Sequence, residues 1–169
     1  ETIRDYKDRF VFVEEDREVE KGVYLLGHHT PGLEERSRKA CMYQEKDGEF
    51  SLDRLEHEQT LVFDSGQGLV VLNSCCHAGV ENVIREVQEA FSDKHVRAVI
   101  GGFHLMGLEG AGTMAGSRED IIKLAKELKS LGNFKLYTGH CTGTPAFEIL
   151  KEMLGDQISY FSTGTVLEF

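Results

Sequence analysis

Residues 69–80 read LVVLNSCCHAGV, and this stretch decides the fold of the chain. Four apolar residues of strand character give way to small and polar residues, and a helical pattern follows at once. His77 lies at this break. The same succession occurs twice more, at a GGFH turn that carries His104 and at a TGHCTG turn that carries His140. Three predicted strands therefore each end in a turn that contains a histidine.

These three histidines predict a metal site. In a parallel sheet the carboxyl ends of the strands meet at one edge, where ligands bind in α/β folds. Zinc is bound by neutral imidazole, and a catalytic zinc site keeps one position open for water. His77, His104 and His140 suit such a site if the strands are neighbours. The alternative is that each histidine only occupies a turn or caps a helix.

The composition limits the classes of function. The 169 residues suit one domain over residues 1–169, with 40% hydrophobic and 28% charged residues. A net charge of −10 argues against binding to nucleic acid, which needs clustered Lys and Arg. The sequence contains no apolar run of 18 residues, so we expect no membrane span and a cytoplasmic protein. The chain begins with Glu1 rather than Met, and we therefore expect a piece of a larger domain.

The cysteines are expected to be reduced and to fill space in the core, as small thiols often do. They are Cys41, Cys75, Cys76 and Cys141, and they contain no C-x-x-C pair, which excludes zinc-knuckle and thioredoxin signatures. The last three lie beside the predicted site. A role for one of them as a metal ligand or nucleophile is therefore the alternative.

The other histidines are weaker candidates. His28 and His29 follow a predicted strand, and one of them could join the site, although a polar loop pair is the favoured interpretation. His57 and Glu58 precede another strand, where they could orient a metal ligand from behind. His95 lies in a charged turn, and we expect it to be solvated.

The order of elements predicts an α/β fold. From the hairpin of residues 60–63 and 69–72 onward, the pattern is β-β-α-β-α-β-α-β-β, a mixed sheet with flanking helices. Both strands of the hairpin are nearly continuous in apolar residues, which predicts burial on both faces. The Gly-rich residues 105–116 predict a mobile loop. Residues 166–169 predict a last strand.

Helix starts are also visible. Ser117 is a good N-cap residue, and Asp120 follows three residues later as a variant of the capping box. The apolar positions that come next repeat with helical spacing and stop at Gly132. The sequence therefore predicts an amphipathic helix between Ser117 and Gly132.

Three strings together resemble the metallo-β-lactamase superfamily. They are GLVVLNSCCHAG at residues 68–79, IGGFHL at residues 100–105 and TGHCTG at residues 138–143. Within the superfamily, the chain resembles the branch of metal-dependent hydrolases similar to dihydropterin-ribofuranosylaminobenzene phosphate synthase. The resemblance covers most of residues 20–169. It implies an αββα sandwich with a metal pair at its edge, usually zinc, with iron or manganese as alternatives.

The resemblance also implies roles for the histidines. Members of the superfamily mostly hydrolyse esters, amides, thioesters or phosphodiesters through a metal-bound hydroxide. By resemblance, His77 and His140 are metal ligands. His104 belongs to the pattern of this branch, with a catalytic role as proton donor or a further role as ligand. The principal H-x-H-x-D-H motif does not occur in this sequence, so we expect the C-terminal half of such a sandwich.

A half-sandwich would expose an apolar sheet face, which soluble monomers seldom tolerate. We therefore expect a partner, either the missing N-terminal half or a second copy of the chain. The favoured function is a metal-dependent hydrolase that acts on a small-molecule ester, amide or phosphoester; whether this chain alone is an enzyme stays open. The alternatives are a binding or scaffold domain that lost the metal motif, and a synthase or transferase that acts on a pterin phosphate.

Overall fold

The computed structural model describes residues 2–169 as one main sheet, two small hairpins and several helices. Its strands are β1 (Arg17–Glu20), β2 (Val23–Leu26), β3 (Tyr43–Lys46), β4 (Glu49–Leu52), β5 (Thr60–Asp64), β6 (Leu69–Leu72), β7 (Val96–Gly101), β8 (Met106–Gly107), β9 (Gly110–Met114), β10 (Lys135–Thr138) and β11 (Ile158–Tyr160). Its α-helices are α1 (Thr2–Asp5), α2 (Glu34–Ala40), α3 (Val80–Ala90), α4 (Arg118–Leu131) and α5 (Thr144–Leu154). Within residues 2–169, no helix is both long enough and apolar enough to cross a membrane.

The main sheet has seven strands in the order β1-β2-β5-β6-β7-β10-β11. The first four strands pair antiparallel, and β6, β7, β10 and β11 pair parallel. The mixed sheet with flanking helices is therefore confirmed. Because β6, β7 and β10 are parallel neighbours, their carboxyl ends lie side by side at one edge.

One face of the main sheet holds the core. Val62, Val71, Val99, Leu136 and Ile158 form a row across five neighbouring strands, and each is fully buried. The apolar sides of α3, α4 and α5 pack on this row. A slip of one residue in any of these strands would turn its buried side chain to the other face, so this packing fixes the register.

The other face of the main sheet is apolar and only half-buried. Phe63 on β5 keeps 36% of its surface exposed. It adjoins a half-buried row on neighbouring strands that consists of Leu25, Leu61, Leu72, Ile100 and Tyr137. The prediction that the hairpin is buried on both faces holds for Leu69, Val70 and Val71 of β6, which are all buried. It is wrong for β5, where Leu61 is half-buried and Phe63 exposed, because α3, α4 and α5 pack on the opposite side.

Two other local predictions are corrected by the structure. Residues 105–116 contain the β8–β9 hairpin, in which Met106 pairs with Met114, rather than an irregular loop. Residues 166–169 do not form a strand; instead the ring of Phe169 packs edge-on against Tyr137 with 6.0 Å between centroids.

The predicted start of α4 is confirmed. Ser117 Oγ accepts a hydrogen bond from the backbone N–H of Asp120 at 3.2 Å, and the Asp120 carboxylate accepts one from the backbone N–H of Ser117 at 2.9 Å. Both partners of the capping box are therefore satisfied at the first turn.

Candidate functional site

The edge where β6, β7 and β10 end is built from three tight turns. In each turn a residue other than glycine adopts left-handed backbone geometry: Cys76 at φ 48°, His104 at φ 49° and His140 at φ 49°. Such geometry costs about 1–3 kcal/mol for a residue with a side chain, and it clusters at functional sites. The histidine-bearing turns predicted from the sequence thus lie at one edge of the sheet, and their backbone is strained there.

Two buried threonines hold the turns after β7 and β10 together. Thr142 Oγ1 accepts a hydrogen bond from the backbone N–H of Phe103 at 2.9 Å. Thr138 Oγ1 donates to the carbonyl of Gly101 at 2.8 Å, and the two threonine hydroxyl oxygens lie 2.5 Å apart. Since both side chains are fully buried, these bonds fix the positions from which His104 and His140 project.

His77 is oriented by the buried carboxylate of Glu58. Nδ1–H of His77 donates to Glu58 Oε1 at 2.8 Å, and the backbone N–H groups of His77 and Ala78 donate to the same carboxylate at 3.2 Å and 3.1 Å. The hydrogen bond to Glu58 raises the pKa of His77, although burial opposes this. When the ring is neutral, its proton lies on Nδ1, and Nε2 keeps a lone pair for a metal or a proton.

Behind Glu58 lies a buried histidine. His28 donates from Nε2 to Glu58 Oε2 at 3.2 Å and from Nδ1 to Glu86 Oε2 at 2.9 Å, and its side chain is 1% exposed. Carboxylates accept only, so both ring nitrogens carry protons and His28 is an imidazolium. Burial acts to lower the pKa of His28, but the hydrogen bonds to Glu58 and Glu86 outweigh it and raise the pKa to about 9.

The two carboxylates stay ionised in this network. Burial acts to raise the pKa of Glu58, but hydrogen bonds from His28, His77 and two backbone N–H groups hold it well below its usual range. Glu86 Oε1 also accepts hydrogen bonds from the backbone of His29 and from the backbone and hydroxyl of Thr30, each at 2.8 Å. Glu86, His28 and Glu58 thus form one continuous chain of buried hydrogen bonds that ends at His77.

Sequence reasoning found this network only in part. The expectation that Glu58 orients a site residue agrees with its contact to His77, whereas His57 is solvent-exposed and lies 3.6 Å from Asp53. The favoured interpretation of His28 as a polar loop residue is wrong, because its side chain is buried between Glu58 and Glu86. The role of Glu86 was missed. The signal for Glu86 is its place on the apolar side of α3, where an acidic residue requires a buried partner.

His104 faces His77 across the mouth of a cleft. Their rings pack edge to face, with 4.4 Å between centroids and an angle of 73°. Burial lowers the pKa of His104, and a charge on His77 lowers it further. The cleft encloses about 590 Å³, and its wall includes both histidines together with Arg36, Lys39, Ala40, Cys76, Phe103, Leu105, Met106, Gly107, Leu108, Gly110, Met114 and Ala115.

The cleft wall is apolar and positively charged. Arg36 and Lys39 contribute two cations, and the described lining residues include no carboxylate. Arg36 also forms an ion pair with Glu81, which holds its guanidinium in place. Lys39 is solvent-exposed and makes no ion pair within residues 2–169. Because Glu81 offsets the charge of Arg36, Lys39 supplies the net positive charge of this cleft in a chain whose net charge is −10.

His140 lies beside two thiols rather than beside the other histidines. The ligand atoms of Cys75, His140 and Cys141 all lie within 4.8 Å of one another. Cys141 Sγ is buried and accepts a hydrogen bond from the backbone N–H of His104 at 3.3 Å. Burial and the neighbouring Cys75 raise the pKa of the Cys141 thiol to about 12. The structure therefore brings His77 to His104 and His140 to two sulfurs, and the ligand roles of His77 and His140 stay predictions.

The comparisons with known proteins agree with this architecture. No family model matches the chain. The chain is 27% identical over 172 residues to 7,8-dihydropterin-6-methyl-4-(beta-D-ribofuranosyl)-aminobenzene-5'-phosphate synthase of Methanocaldococcus jannaschii, a match that covers 100% of this chain and 56% of that protein. It is 26% identical over 157 residues to an uncharacterized protein of the same organism, with 90% and 54% covered. The chain thus spans about half the length of the curated relatives it matches.

Solved structures show the same relationship. A crystal structure of a metal-dependent hydrolase of the β-lactamase superfamily matches with a TM-score of 0.73 and 30% identity, over 95% of this chain and 58% of that one. The chain belongs to the metallo-β-lactamase superfamily. This chain also has the fold of an isothiocyanate hydrolase from Delia radicum gut bacteria. The TM-score is 0.50 and the identity 16%, over 99% of this chain and 62% of the hydrolase. The superfamily is metal-dependent. The imidazole of His140 and the thiols of Cys75 and Cys141, which lie in the turns at the sheet edge, are groups that bind metal ions in proteins.

Proposed function

We propose that this chain carries part of the active site of a zinc-dependent hydrolase, with His77 and His140 as metal ligands and His104 as proton donor. The observation that supports this most is the hydrogen bond from His77 Nδ1 to Glu58, because it leaves Nε2 as the metal-binding atom. Imidazole and thiol donors at the same edge suit zinc. Zinc bound there would supply a Lewis acid that polarises the scissile bond.

His104 is suited to handle a proton in the cleft. Because its pKa is lowered, the ring is neutral near pH 7 and offers one N–H donor and one nitrogen acceptor. Its position against His77 brings these groups to the place where a substrate would meet the metal. The acceptor nitrogen of the neutral ring can take a proton from the attacking water, and the imidazolium that results can give this proton to the oxygen of the leaving group.

The cleft favours an anionic substrate with an apolar body. Arg36 and Lys39 can bind a phosphate group, and the surrounding wall contains Phe103, Leu105 and Met114. Among small-molecule esters, amides and phosphoesters, a phosphoester of an apolar or aromatic alcohol fits this wall best. Its charged end would lie at the two cations, and its apolar part would lie against the side chains between them and His104.

A second function has specific support. The similarity to a dihydropterin-linked phosphate synthase favours a synthase or transferase that acts on a pterin phosphate. The same cations would bind the phosphate in that case. The two functions differ in the acceptor, because a hydrolase transfers to water and a synthase to a second substrate. Product analysis with and without a candidate acceptor therefore separates them.

The half-buried face of the main sheet supports a further part of the proposal. Leu61, Leu72 and Ile100 lie on this face beside the exposed Phe63. An apolar surface of this kind is typical of an interface. We propose that a second sheet covers it, either from the N-terminal half of a sandwich or from a second copy of the chain.

The test is hydrolysis by the full-length, zinc-loaded protein of phenyl phosphate and of neutral phenyl acetate, whose leaving group needs a proton as it departs. His104→Ala should lower kcat about 100-fold or more, as for loss of a general acid. His95→Ala removes an exposed histidine and should leave kcat unchanged. Lys39→Ala should raise KM for the phosphate ester only. A wild-type rate that His104→Ala does not change would overturn His104 as the proton donor, and a wild-type protein that hydrolyses neither ester would overturn the hydrolase.

A further inference from the structure

The histidine that follows β10 has two sulfur neighbours that the superfamily resemblance did not assign. Cys75, His140 and Cys141 each place one donor atom within 4.8 Å of the other two. In a tetrahedral zinc site with Zn–S near 2.3 Å and Zn–N near 2.0 Å, donor atoms lie roughly 3.5–3.8 Å apart. The trio therefore needs only small side-chain rotations to surround one ion.

These donors come from two different turns of the sheet edge. Cys75 follows β6, and His140 and Cys141 lie in the short 3-10 turn after β10. The backbone of His140 has left-handed geometry, with φ at 49°. Its side chain therefore leaves the backbone in another direction than it would from a residue with negative φ. Two turns that are far apart in sequence thus present three metal-binding side chains to one point.

The turn after β7 leaves room for one of the sulfurs. A Cβ atom on Gly102 would lie 2.5 Å from Cys141 Sγ and 3.1 Å from the carbonyl oxygen of Ser74. Only glycine at this position permits the observed place of the thiol. The hydrogen bond from the backbone of His104 to Cys141 Sγ holds the sulfur there.

We propose that Cys75, His140 and Cys141 form a mixed sulfur–nitrogen ligand set for zinc at this edge of the sheet. Two soft sulfur donors and one imidazole select zinc over the oxygen-preferring magnesium, calcium and manganese ions. The proposal rests on the proposed function for the presence of a metal, and it goes beyond it by assigning both cysteines as direct ligands. His104, whose ring packs on that of His77, then lies on the substrate side.

The alternative to metal binding by the two thiols is a disulfide between them. Cys75 and Cys141 are free in the structure, and their sulfur atoms lie within 4.8 Å of each other, so a disulfide formed by an external oxidant is the outcome to distinguish. The imidazole of His140 distinguishes the two cases, because it has no part in a disulfide and is a ligand in a metal site. The test therefore has to report sulfur, nitrogen and metal separately.

The experiment uses the full-length protein, freed of metal by a chelator under reducing conditions and then titrated with Co²⁺. Sulfur ligation predicts a sulfur-to-cobalt charge-transfer band in the near ultraviolet. Cys75→Ser and Cys141→Ser should each weaken the band and lower Co²⁺ affinity by roughly tenfold or more. His140→Ala should lower the affinity and keep the band. Cys41→Ser, an exposed cysteine at the end of α2, is the matched control and should change neither.

A measurement without variants guards against misfolding. X-ray absorption of the zinc-loaded wild-type protein should show sulfur scatterers at about 2.3 Å from zinc. Zinc with only nitrogen and oxygen neighbours would overturn the proposal, as would a wild-type protein isolated with a Cys75–Cys141 disulfide. Esterase activity measured on the same samples is independent of these readouts. An inactive protein with sulfur-bound zinc would overturn the hydrolase and leave the ligand set standing.

Discussion

Glu58 accepts a hydrogen bond from His77 Nδ1 at 2.8 Å, and it does so from a buried position nineteen residues earlier in the chain. The same carboxylate also holds His28, which in turn holds Glu86. Burying a carboxylate costs free energy of folding unless each of its oxygens accepts hydrogen bonds, and here both oxygens of Glu58 do so. The orientation of His77 therefore depends on residues that never reach the cleft.

Replacing Glu58 tests this dependence. Glu58→Gln removes the charge that fixes the Nδ1 proton of His77, and we expect zinc affinity to fall about 10–100-fold, as for other residues that orient a metal ligand. Competition against a chelator measures the affinity. Glu56→Gln changes an exposed residue two positions away and should have no effect. Equal affinities for both variants would show that Glu58 does not act through His77.

The buried imidazolium predicts how stability depends on pH. The pKa of His28 is raised from 6.5 to about 9, so its contribution is fully present below pH 6.5 and is lost as the pH rises through 9. The expected loss is about 3 kcal/mol of the free energy of unfolding. Urea denaturation of the metal-free protein at pH 6.5 and pH 9.5 measures it.

The matched variants are His28→Gln and His29→Gln. His28→Gln should lower stability at pH 6.5 and abolish most of the change between the two pH values. The side chain of His29 is 65% exposed, and its substitution should leave the wild-type pH dependence intact. The same pH dependence in His28→Gln and wild type would assign the effect to other groups.

Much of the main sheet was predictable because its apolar runs are short and bounded by turn residues. The β5–β6 hairpin and the α4 capping box of Ser117 and Asp120 follow from local patterns. The half-buried face around Phe63 does not, because periodicity reports apolar character and not what covers it. The β8–β9 hairpin was missed because its glycines give no alternating pattern.

The sequence predicted which turns form the site, but not which side chains of these turns contact one another. Strand ends that carry His77, His104 and His140 can be read locally. Which of them meet depends on left-handed backbone at His104 and His140, and although histidine adopts this geometry more often than most residues, its presence in a sequence does not predict it. The contact of His28 with Glu86 spans 58 residues, and no local pattern encodes it.

Gly102 provides a test of how tightly the edge is packed. Gly102→Ala places a methyl group against Cys141 Sγ and the Ser74 carbonyl, and we expect it to lower stability by about 1–3 kcal/mol and to weaken Co²⁺ binding. Gly112→Ala is the matched control, because a Cβ there would have nothing within 4 Å. Thermal unfolding and Co²⁺ titration measure the two effects. A neutral Gly102→Ala would show that the Cys141 thiol can move freely.

The uncovered face of the sheet is tested by placing a charge on it. If a second sheet covers Leu61 in the full-length protein, Leu61→Lys buries an unpaired cation and should lower the free energy of unfolding by about 3 kcal/mol or more. Phe50→Lys changes a side chain that is 71% exposed in β4 and should cost less than about 0.5 kcal/mol. Urea denaturation compares the free energies of unfolding of the two variants.

Sedimentation at several protein concentrations then identifies what covers this face. If a second copy of the chain covers it, both the stability and the molecular mass depend on concentration, whereas with a sheet from the same chain they do not. Equal small effects of both substitutions would mean that the face remains open to solvent.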